Sequence, residues 1–302
     1  MDIFITVVLF LATVSNTAGQ DWSYTGDTGP SYWAVTYPAC GGEKQSPINI
    51  DTDDVEKDNL GTFTMVGFDD TNDKSMIVEN NGKELQVNLV GDYSISGGGL
   101  QGSYLPVQFH FHWGRNLQEG SEHLVDSTAY PAEMHIVHYS DRFASLADAI
   151  NDPAGLAILG VFIEESTEDN SNFDTIFGVI DDVRYPGNQT AIQVFNLENV
   201  FPDDLTKFYR YNGSLTTPGC QESIVWTVFK ESISLSNSQI ELFRTLVGDD
   251  GNTIQHNFRP PQQLNGRKVV FSNPDYDPSH GSVLVPSLLV SIFSIVILTF
   301  LK

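Results

Sequence analysis

The chain has 302 residues, of which 40% are hydrophobic and 11% aromatic, so it can bury a sizeable core and is not typical of a disordered protein. Asp and Glu number 39 against 15 Lys and Arg, which gives a formal net charge of −24 at pH 7. A charge of that sign repels nucleic acid and anionic lipid surfaces, so the composition argues against a nucleic-acid-binding protein.

The first predicted element is a secretory signal peptide over residues 1–19. A mostly apolar run from Ile3 to Val14 is followed by small and polar residues, with a candidate cleavage end at Thr17 to Gly19. No Lys or Arg precedes the apolar run, although signal peptides usually carry one there. We expect the mature protein to enter the secretory pathway and reach the cell surface or the extracellular space.

Short β-rich runs dominate residues 20–272, and clusters of Gly, Asn and Asp separate them. The predicted strands are Met76–Val78, Glu84–Val90, Pro106–Trp113, Met134–Tyr139, Leu156–Ile163 and Ile224–Phe229. Helical periodicity is confined to Phe143–Ile150 and Gln239–Leu246, with Asn237 and Ser238 as candidate caps of the second helix. No repeat or low-complexity linker divides this region. We predict one mainly β (α+β) domain with short peripheral helices.

The C-terminal end consists of a polar stem, residues 273–282, and a hydrophobic tail, residues 283–302. Val283–Leu301 carries no charge and approaches the length of a bilayer span, and only Lys302 follows it. Such an end is typical of a lipid-anchor (GPI) signal that is removed and replaced. A retained transmembrane helix is the alternative, which Pro286 weakens. We expect the domain to be tethered to a membrane through its C-terminus, with release as a secreted form as a variant of this.

Cys40 and Cys220 lie far apart in a chain that is predicted to enter an oxidising compartment. A disulfide between them is therefore favoured, with two unpaired buried thiols as the alternative.

The most informative segment is Gln108–Gly114, in which His110 and His112 alternate with aromatic residues. On a strand, this alternation directs both imidazoles to one face. Zinc bound by three histidines, with a fourth position open for water, is the arrangement of catalytic zinc sites. The pair therefore predicts a metal site that takes a third ligand from another segment, with unrelated core histidines as the alternative.

The run Glu133–Tyr139 offers that third ligand, as either His135 or His138. Glu133 shares the face of His135 on a strand, so its carboxylate is placed to accept the second N–H of that ring. His138 points to the opposite face.

Ordered motifs from about Trp22 to Phe271 resemble the α-class carbonic anhydrases. They are Trp22–Tyr24, Gln45–Ile50, Gln108–Gly114, Gly120–His123, Ala132–His135, Tyr211–Pro218 and Asn257–Pro260. The resemblance implies a single domain around a large, mostly antiparallel twisted central sheet. It also implies one Zn²⁺ per chain on His110, His112 and His135, and makes His123 and His138 structural.

The reaction implied by the resemblance is the reversible hydration of carbon dioxide to bicarbonate and a proton, by attack of a zinc-bound hydroxide. Thr216 and Glu122 match the residues that orient the hydroxide. Three further residues match those that orient the zinc ligands: Gln108, Glu133 and Asn257. Six match the substrate pocket: Val137, Ile158, Leu215, Thr217, Ile224 and Trp226. Three stand at positions around the cleft waters: Tyr24, Asn81 and Gln86. Sulfonamide-type and anion inhibitors are expected to bind.

Lys83 occupies the position where fast members of the family carry a proton-exporting histidine. A lysine, with a pKa of about 10.4, keeps its proton at neutral pH, whereas a histidine near 6.5 exchanges it. We therefore expect an active enzyme whose turnover is limited by proton transfer. Gly219 is a second departure, since many relatives have proline there. A Cys40–Cys220 disulfide, which resembles that of extracellular family members, is expected to hold the Thr216 loop in compensation.

Two other function classes remain open, a non-catalytic ligand-binding relative and an acidic matrix or mineral-associated protein. The retained histidines argue against the first, and no long Asp or Glu run supports the second. Asn188 and Asn212 match the glycosylation acceptor pattern. We favour Asn188, because Asn212 adjoins the loop of Thr216.

Overall fold

A computed structural model describes residues 22–277 of the chain. Its strands are β1 (Asn49–Ile50), β2 (Glu56–Asp58), β3 (Phe63–Val66), β4 (Ser75–Asn80), β5 (Leu85–Val90), β6 (Ser94–Gly97), β7 (Tyr104–Trp113), β8 (Leu124–Val125), β9 (Ala132–Ser140), β10 (Leu156–Ser166), β11 (Gln189–Ile192), β12 (Phe208–Gly213), β13 (Ile224–Phe229), β14 (Ile233–Ser236) and β15 (Val270–Ser272). Its α-helices are α1 (Trp33–Thr36), α2 (Leu146–Ala149), α3 (Asp174–Phe177) and α4 (Asn237–Phe243). Four short 3₁₀ helices complete the described part: Gly26–Thr28, Pro38–Gly41, Ser171–Phe173 and Leu197–Val200.

Thirteen of these strands form one sheet, in the order β11-β4-β5-β7-β9-β10-β13-β12-β15-β2, with β3, β6 and β14 attached beside this path. Most neighbouring strands are antiparallel, and the parallel pairs are β10 with β13, β10 with β14, and β15 with β2. A separate parallel pair is formed by β1 and β8. The prediction of one mainly β domain around a large, mostly antiparallel twisted sheet is confirmed.

The two predicted helices are present but shorter than the periodicity indicated. The first begins after Ser145, whose side chain accepts the backbone N–H of Asp148. The second begins after Ser236, which forms a capping box with Gln239. The prediction that Asn237 or Ser238 caps this helix was wrong, because the backbone leaves strand β14 directly into the helix and Ser236 is the last extended residue.

The central strands separate two hydrophobic layers, since alternate side chains point to opposite faces. One layer contains the aromatic residues of β7, Phe109, Phe111 and Trp113, all of them fully buried. The other contains Val137, Ile158 and Trp226. The histidines of the predicted metal site belong to this second face, so the aromatic layer supports them from behind.

A disulfide joins Cys40 to Cys220, with 4.9 Å between their Cα atoms, as predicted. Both cysteines are buried and pack against Trp33. The bond closes a loop of 180 residues, and chain-entropy arguments give such a closure roughly 5 kcal/mol of stabilisation. It attaches the N-terminal segment to the loop that contains Thr216.

The predicted signal peptide (1–19) and hydrophobic tail (283–302) lie outside the described residues. The start of the polar stem is included, and there Asn273 donates its backbone N–H to the carbonyl of Asp58 at 2.9 Å. Within residues 22–277, no helix combines the length and apolar character needed to cross a bilayer.

His138 is a fully buried core residue of β9. Its Nδ1 donates to the carbonyls of Ile136 and Ala157, at 3.0 and 3.2 Å. Burial lowers its pKa from 6.5 to about 4, because the protonated ring would be desolvated. The folded protein therefore holds this histidine neutral under conditions that protonate it in the unfolded chain.

We predict that His138 makes folding sensitive to mild acid. Below pH 6.5 the His138 ring is protonated in the unfolded state, whereas in the native state it stays neutral down to about pH 4. The free energy of unfolding therefore decreases as the pH falls through this window. Between pH 7 and 5 the loss should be about 2 kcal/mol. Urea unfolding of wild type and His138→Gln, at both pH values, measures it. Equal losses in the two proteins would contradict the prediction, since all other titrating groups are shared.

Candidate active site

Three histidines converge on one face of the central sheet. The pairing of β7 with β9 places His110 directly opposite His135, and His112 directly opposite Glu133. The facing ring nitrogens of His110, His112 and His135 lie within 4.8 Å of one another, and all three residues are buried. The predicted triad is therefore brought together, and His135, not His138, is the third member.

The two histidines of β7 are each held by a hydrogen bond from the outer nitrogen of the ring. His110 Nδ1 donates to Gln108 Oε1 at 2.9 Å, and His112 Nδ1 donates to the backbone carbonyl of Asn257 at 2.8 Å. The proton is then on Nδ1, so Nε2 presents a lone pair to the centre of the triad. His112 Nε2 is buried without a hydrogen-bond partner among the described residues.

Glu133 connects His135 to the loop before β8. One carboxylate oxygen accepts the backbone N–H groups of Glu122 and His123, at 2.9 and 2.8 Å. The other accepts His123 Nδ1 and His135 Nε2, both at 2.7 Å. Burial raises the pKa of Glu133, but the two histidines outweigh it and hold the pKa well below its usual range. His135 is left with Nδ1 facing the triad.

The electrostatics of the triad suit a cation and not protons. Burial holds the pKa of His110 well below 6.5, and His112 beside it adds to the effect. Burial also holds the pKa of His135 well below 6.5, although Glu133 opposes it. Neutral rings with inward lone pairs are the form of histidine that binds metal ions.

Glu122 lies beside the triad and is completely buried. Its Oε1 accepts the backbone N–H of Arg259 at 2.7 Å, and its Oε2 is 3.5 Å from His112 Nε2. Burial raises the pKa of this carboxyl to about 8, and the hydroxyl of Thr216 opposes the rise. Thr216 is itself buried and lines the pocket in front of the triad.

The pocket in front of the triad has one polar and one apolar side. His110, His135, Gln108 and Thr216 line the polar side. Among the residues assigned to the substrate pocket, Val137, Ile158, Leu215 and Thr217 line it, whereas Ile224 and Trp226 belong to the hydrophobic cluster behind it. The indole ring of Trp226 packs 4.8 Å from the ring of His135.

Four lining residues were missed by the sequence analysis: Glu84, Leu146, Ile150 and Leu156. The apolar pair at positions 146 and 150 is spaced by one helical turn, which was the available signal. Arg259, which positions Glu122 through its backbone, could not be recognised from a pattern of side chains.

Four residues were predicted to act in proton export or to lie around the cleft waters: Lys83, Tyr24, Asn81 and Gln86. Lys83 Nζ is 3.1 Å from Asp249 Oδ2 and 5.1 Å from the ring centre of Trp22, and it lines a neighbouring pocket with Tyr24. Asn81 accepts the backbone N–H groups of Lys83 and Glu84, both at 2.9 Å.

Gln86 pairs opposite His110 in the sheet and donates to Asn88 at 2.6 Å.

His123 lies outside the triad and has a hydrogen-bond partner on each ring nitrogen. His123 donates to Glu133, and its Nε2 is 2.6 Å from the hydroxyl of Tyr211. His138 lies on the other face, away from the triad.

Comparison with known proteins identifies the family of the chain. The family model for eukaryotic-type carbonic anhydrases matches residues 28–273. Carbonic anhydrase 6 of Bos taurus is 35% identical over 287 residues, which cover 92% of this chain and 89% of that protein. Carbonic anhydrase 12 of Homo sapiens is 37% identical over 263 residues, covering 84% of this chain and 73% of the relative.

A third similarity is to part of a larger protein. Receptor-type tyrosine-protein phosphatase zeta of Homo sapiens is 35% identical over 273 residues, which cover 87% of this chain but 12% of that protein. The family match extends over most of the chain, from residue 28 to residue 273. The chain therefore belongs to the eukaryotic-type carbonic anhydrases, the α class, and is a carbonate dehydratase.

Proposed function

We propose that the protein is a zinc enzyme that binds one Zn²⁺ through His110, His112 and His135 and hydrates carbon dioxide on the outer side of the cell. The observation that carries the proposal is the convergence of three buried ring nitrogens whose partner nitrogens are all hydrogen-bonded to acceptors.

The donor set fits zinc. Three imidazoles match the preference of Zn²⁺ for nitrogen ligands, and three protein ligands leave a fourth position open, as catalytic zinc sites require. His112 Nε2, buried without a partner, gains one when a cation binds. When bound, Zn²⁺ lowers the pKa of water to about 7, which supplies hydroxide at neutral pH.

Thr216 and Glu122 orient the nucleophile in this proposal. The Thr216 hydroxyl accepts the hydrogen of the attacking oxygen and donates its own hydrogen to Glu122, so that an oxygen lone pair faces carbon dioxide. Glu122 must stay in place for this, and the backbone N–H of Arg259 holds it at 2.7 Å. The side-chain hydrogen bond between Glu122 and Thr216 supports this assignment.

The apolar side of the pocket suits carbon dioxide, which is small and has no net charge. Val137, Ile158 and Leu215 offer it an apolar surface next to the triad. Bicarbonate and a proton are the products, and esters with an activated carbonyl are candidates for a side reaction. Sulfonamide-type and anion inhibitors are expected to compete at the same position.

Proton export is the slow step that we propose. Lys83 stands at the position of the proton-exporting histidine of fast family members. Its ammonium group is paired with Asp249 in the neighbouring pocket. This placement supports the view that the side chain is not a proton relay for the triad. Tyr24, Asn81 and Gln86 are assigned to the water network of the cleft.

An extracellular location accords with the Cys40–Cys220 disulfide, because such bonds persist in oxidising compartments. The proposed signal peptide and the C-terminal anchor complete this assignment. Asn188 is exposed beside strand β11, which is compatible with its glycosylation.

We predict that activity follows zinc content. Chelation should abolish carbon dioxide hydration in a stopped-flow assay, and one equivalent of Zn²⁺ should restore it. Gln108→Ala should lower zinc affinity by roughly 10- to 100-fold, because His110 loses the acceptor that orients it. Competition with a chromogenic chelator measures the affinity. Gln189→Ala, at an exposed site in β11, is the control. Full activity in a zinc-free sample would contradict the proposal.

We predict that Lys83→His relieves the limit on turnover. At low buffer concentration kcat should rise by at least about tenfold, because an imidazole exchanges protons at neutral pH. kcat/KM for carbon dioxide should not change. Wild type should instead gain from added imidazole buffer, and Lys57→His on exposed β2 serves as the control. A fast, buffer-independent wild-type rate would overturn the prediction.

We predict that the protein is held on cells by a lipid. Treatment of intact cells with a phospholipase specific for lipid anchors should release it into the medium, because no protein segment then crosses the bilayer. Immunoblotting of cells and medium measures the release. A known transmembrane protein is the control, and retention on the cells would favour the transmembrane alternative.

A further inference from the structure

One acidic side chain in the pocket is neither a member of the triad nor one of the acceptors that hold its rings. Glu84 is 8% exposed and lines the pocket together with His110, His135 and Thr216. Carboxylates are rarely buried to this extent unless they are paired or hydrogen-bonded, since desolvation of the charge is costly. Its presence next to the triad therefore needs a reason.

The loop before β5 fixes the direction of this side chain. Asn81 Oδ1 accepts the backbone N–H of Glu84 at 2.9 Å, and Asn81 Nδ2 donates to Glu84 Oε1 at 3.1 Å. The same amide of Asn81 thus positions both the backbone and the carboxylate. Glu84 cannot turn outward without losing the hydrogen bond that Asn81 Nδ2 donates to its carboxylate.

The second carboxylate oxygen is directed at the triad. Glu84 Oε2 is buried without a hydrogen-bond partner among residues 22–277 and lies 4.0 Å from His110 Nε2, the nitrogen that faces the metal position. The ammonium group of the neighbouring residue Lys83 does not neutralise the Glu84 carboxylate, because it pairs with Asp249 at 3.1 Å. None of the described Lys or Arg side chains forms an ion pair with Glu84.

We propose that Glu84 is a specificity residue that weakens the binding of anions at the open metal position while leaving neutral carbon dioxide unaffected. The inference rests on the proposed zinc enzyme and deepens it. A negative charge close to the open position repels an anion, because the buried carboxylate of Glu84, 4.0 Å from His110 Nε2, is screened less than a charge in bulk water. Carbon dioxide has no net charge and experiences no such repulsion. Bicarbonate, the charged product, leaves more readily.

The test is the affinity of thiocyanate for the cobalt(II)-loaded protein, followed by visible absorption, which reports coordination directly. Glu84→Gln keeps the shape of the side chain and removes its charge, so the Kd of thiocyanate should fall at least tenfold. Glu84→Ala should behave in the same way. Glu79→Gln is the control for net charge, since Glu79 contacts Asn88 outside the pocket, and its Kd should stay within twofold of wild type.

The neutral ligand 1,2,4-triazole separates charge from shape, and its Kd should change less than twofold in Glu84→Gln. A thiocyanate Kd within twofold of wild type in Glu84→Gln would overturn the inference. Tighter binding in Glu84→Ala alone would also overturn it, because volume would then be the cause. A wild-type protein that takes up no cobalt would contradict the proposed zinc site itself, which distinguishes the two failures.

Discussion

The carboxylate of Glu133 is the interaction on which the site depends. It is fully buried, and four N–H groups surround it, two from the backbone of residues 122 and 123 and two from His123 and His135. A buried charge is tolerated only when it is hydrogen-bonded in this way. The same contacts attach the loop of Glu122 to strand β9. One carboxylate therefore sets the tautomer of His135 and the position of the Glu122 side chain together.

Local periodicity was enough to predict the parts of the site that lie within single strands. His110 and His112 share a face, and Glu133 shares the face of His135, because alternation on a strand needs no knowledge of its neighbours. The choice between His135 and His138 also needed the partner strand, since register decides which residue lies opposite His110. Asn257 is 145 residues from His112 in sequence, so only the family resemblance could indicate it. Ser236 was not predicted as the helix cap, because strand β14 and helix α4 follow each other there without a loop.

Lys83 and Glu84 are neighbours in sequence with opposite charges, and they line different pockets. The cation pairs with Asp249, and the anion stays beside the triad. The carboxyl groups of Glu84, Glu122 and Glu133 consequently surround the three histidine rings. No sequence pattern showed this, because Glu84 directly precedes strand β5 and its direction is set by the side chain of Asn81. Carboxyl groups around a metal position favour a divalent cation.

The contacts of Asn257 and Arg259 bear on how the chain is made. The backbone carbonyl of Asn257 accepts the Nδ1–H of His112, and its side-chain amide donates to the carbonyl of Phe111. The guanidinium of Arg259 donates to the carbonyl of Cys40. These residues lie near the end of the domain, and a ribosome delivers them last. Until then His112 lacks its acceptor and Glu122 lacks the N–H that holds it. The catalytic centre therefore forms only after the last segment of the domain has been synthesised. A chain that ends before residue 257 cannot assemble it.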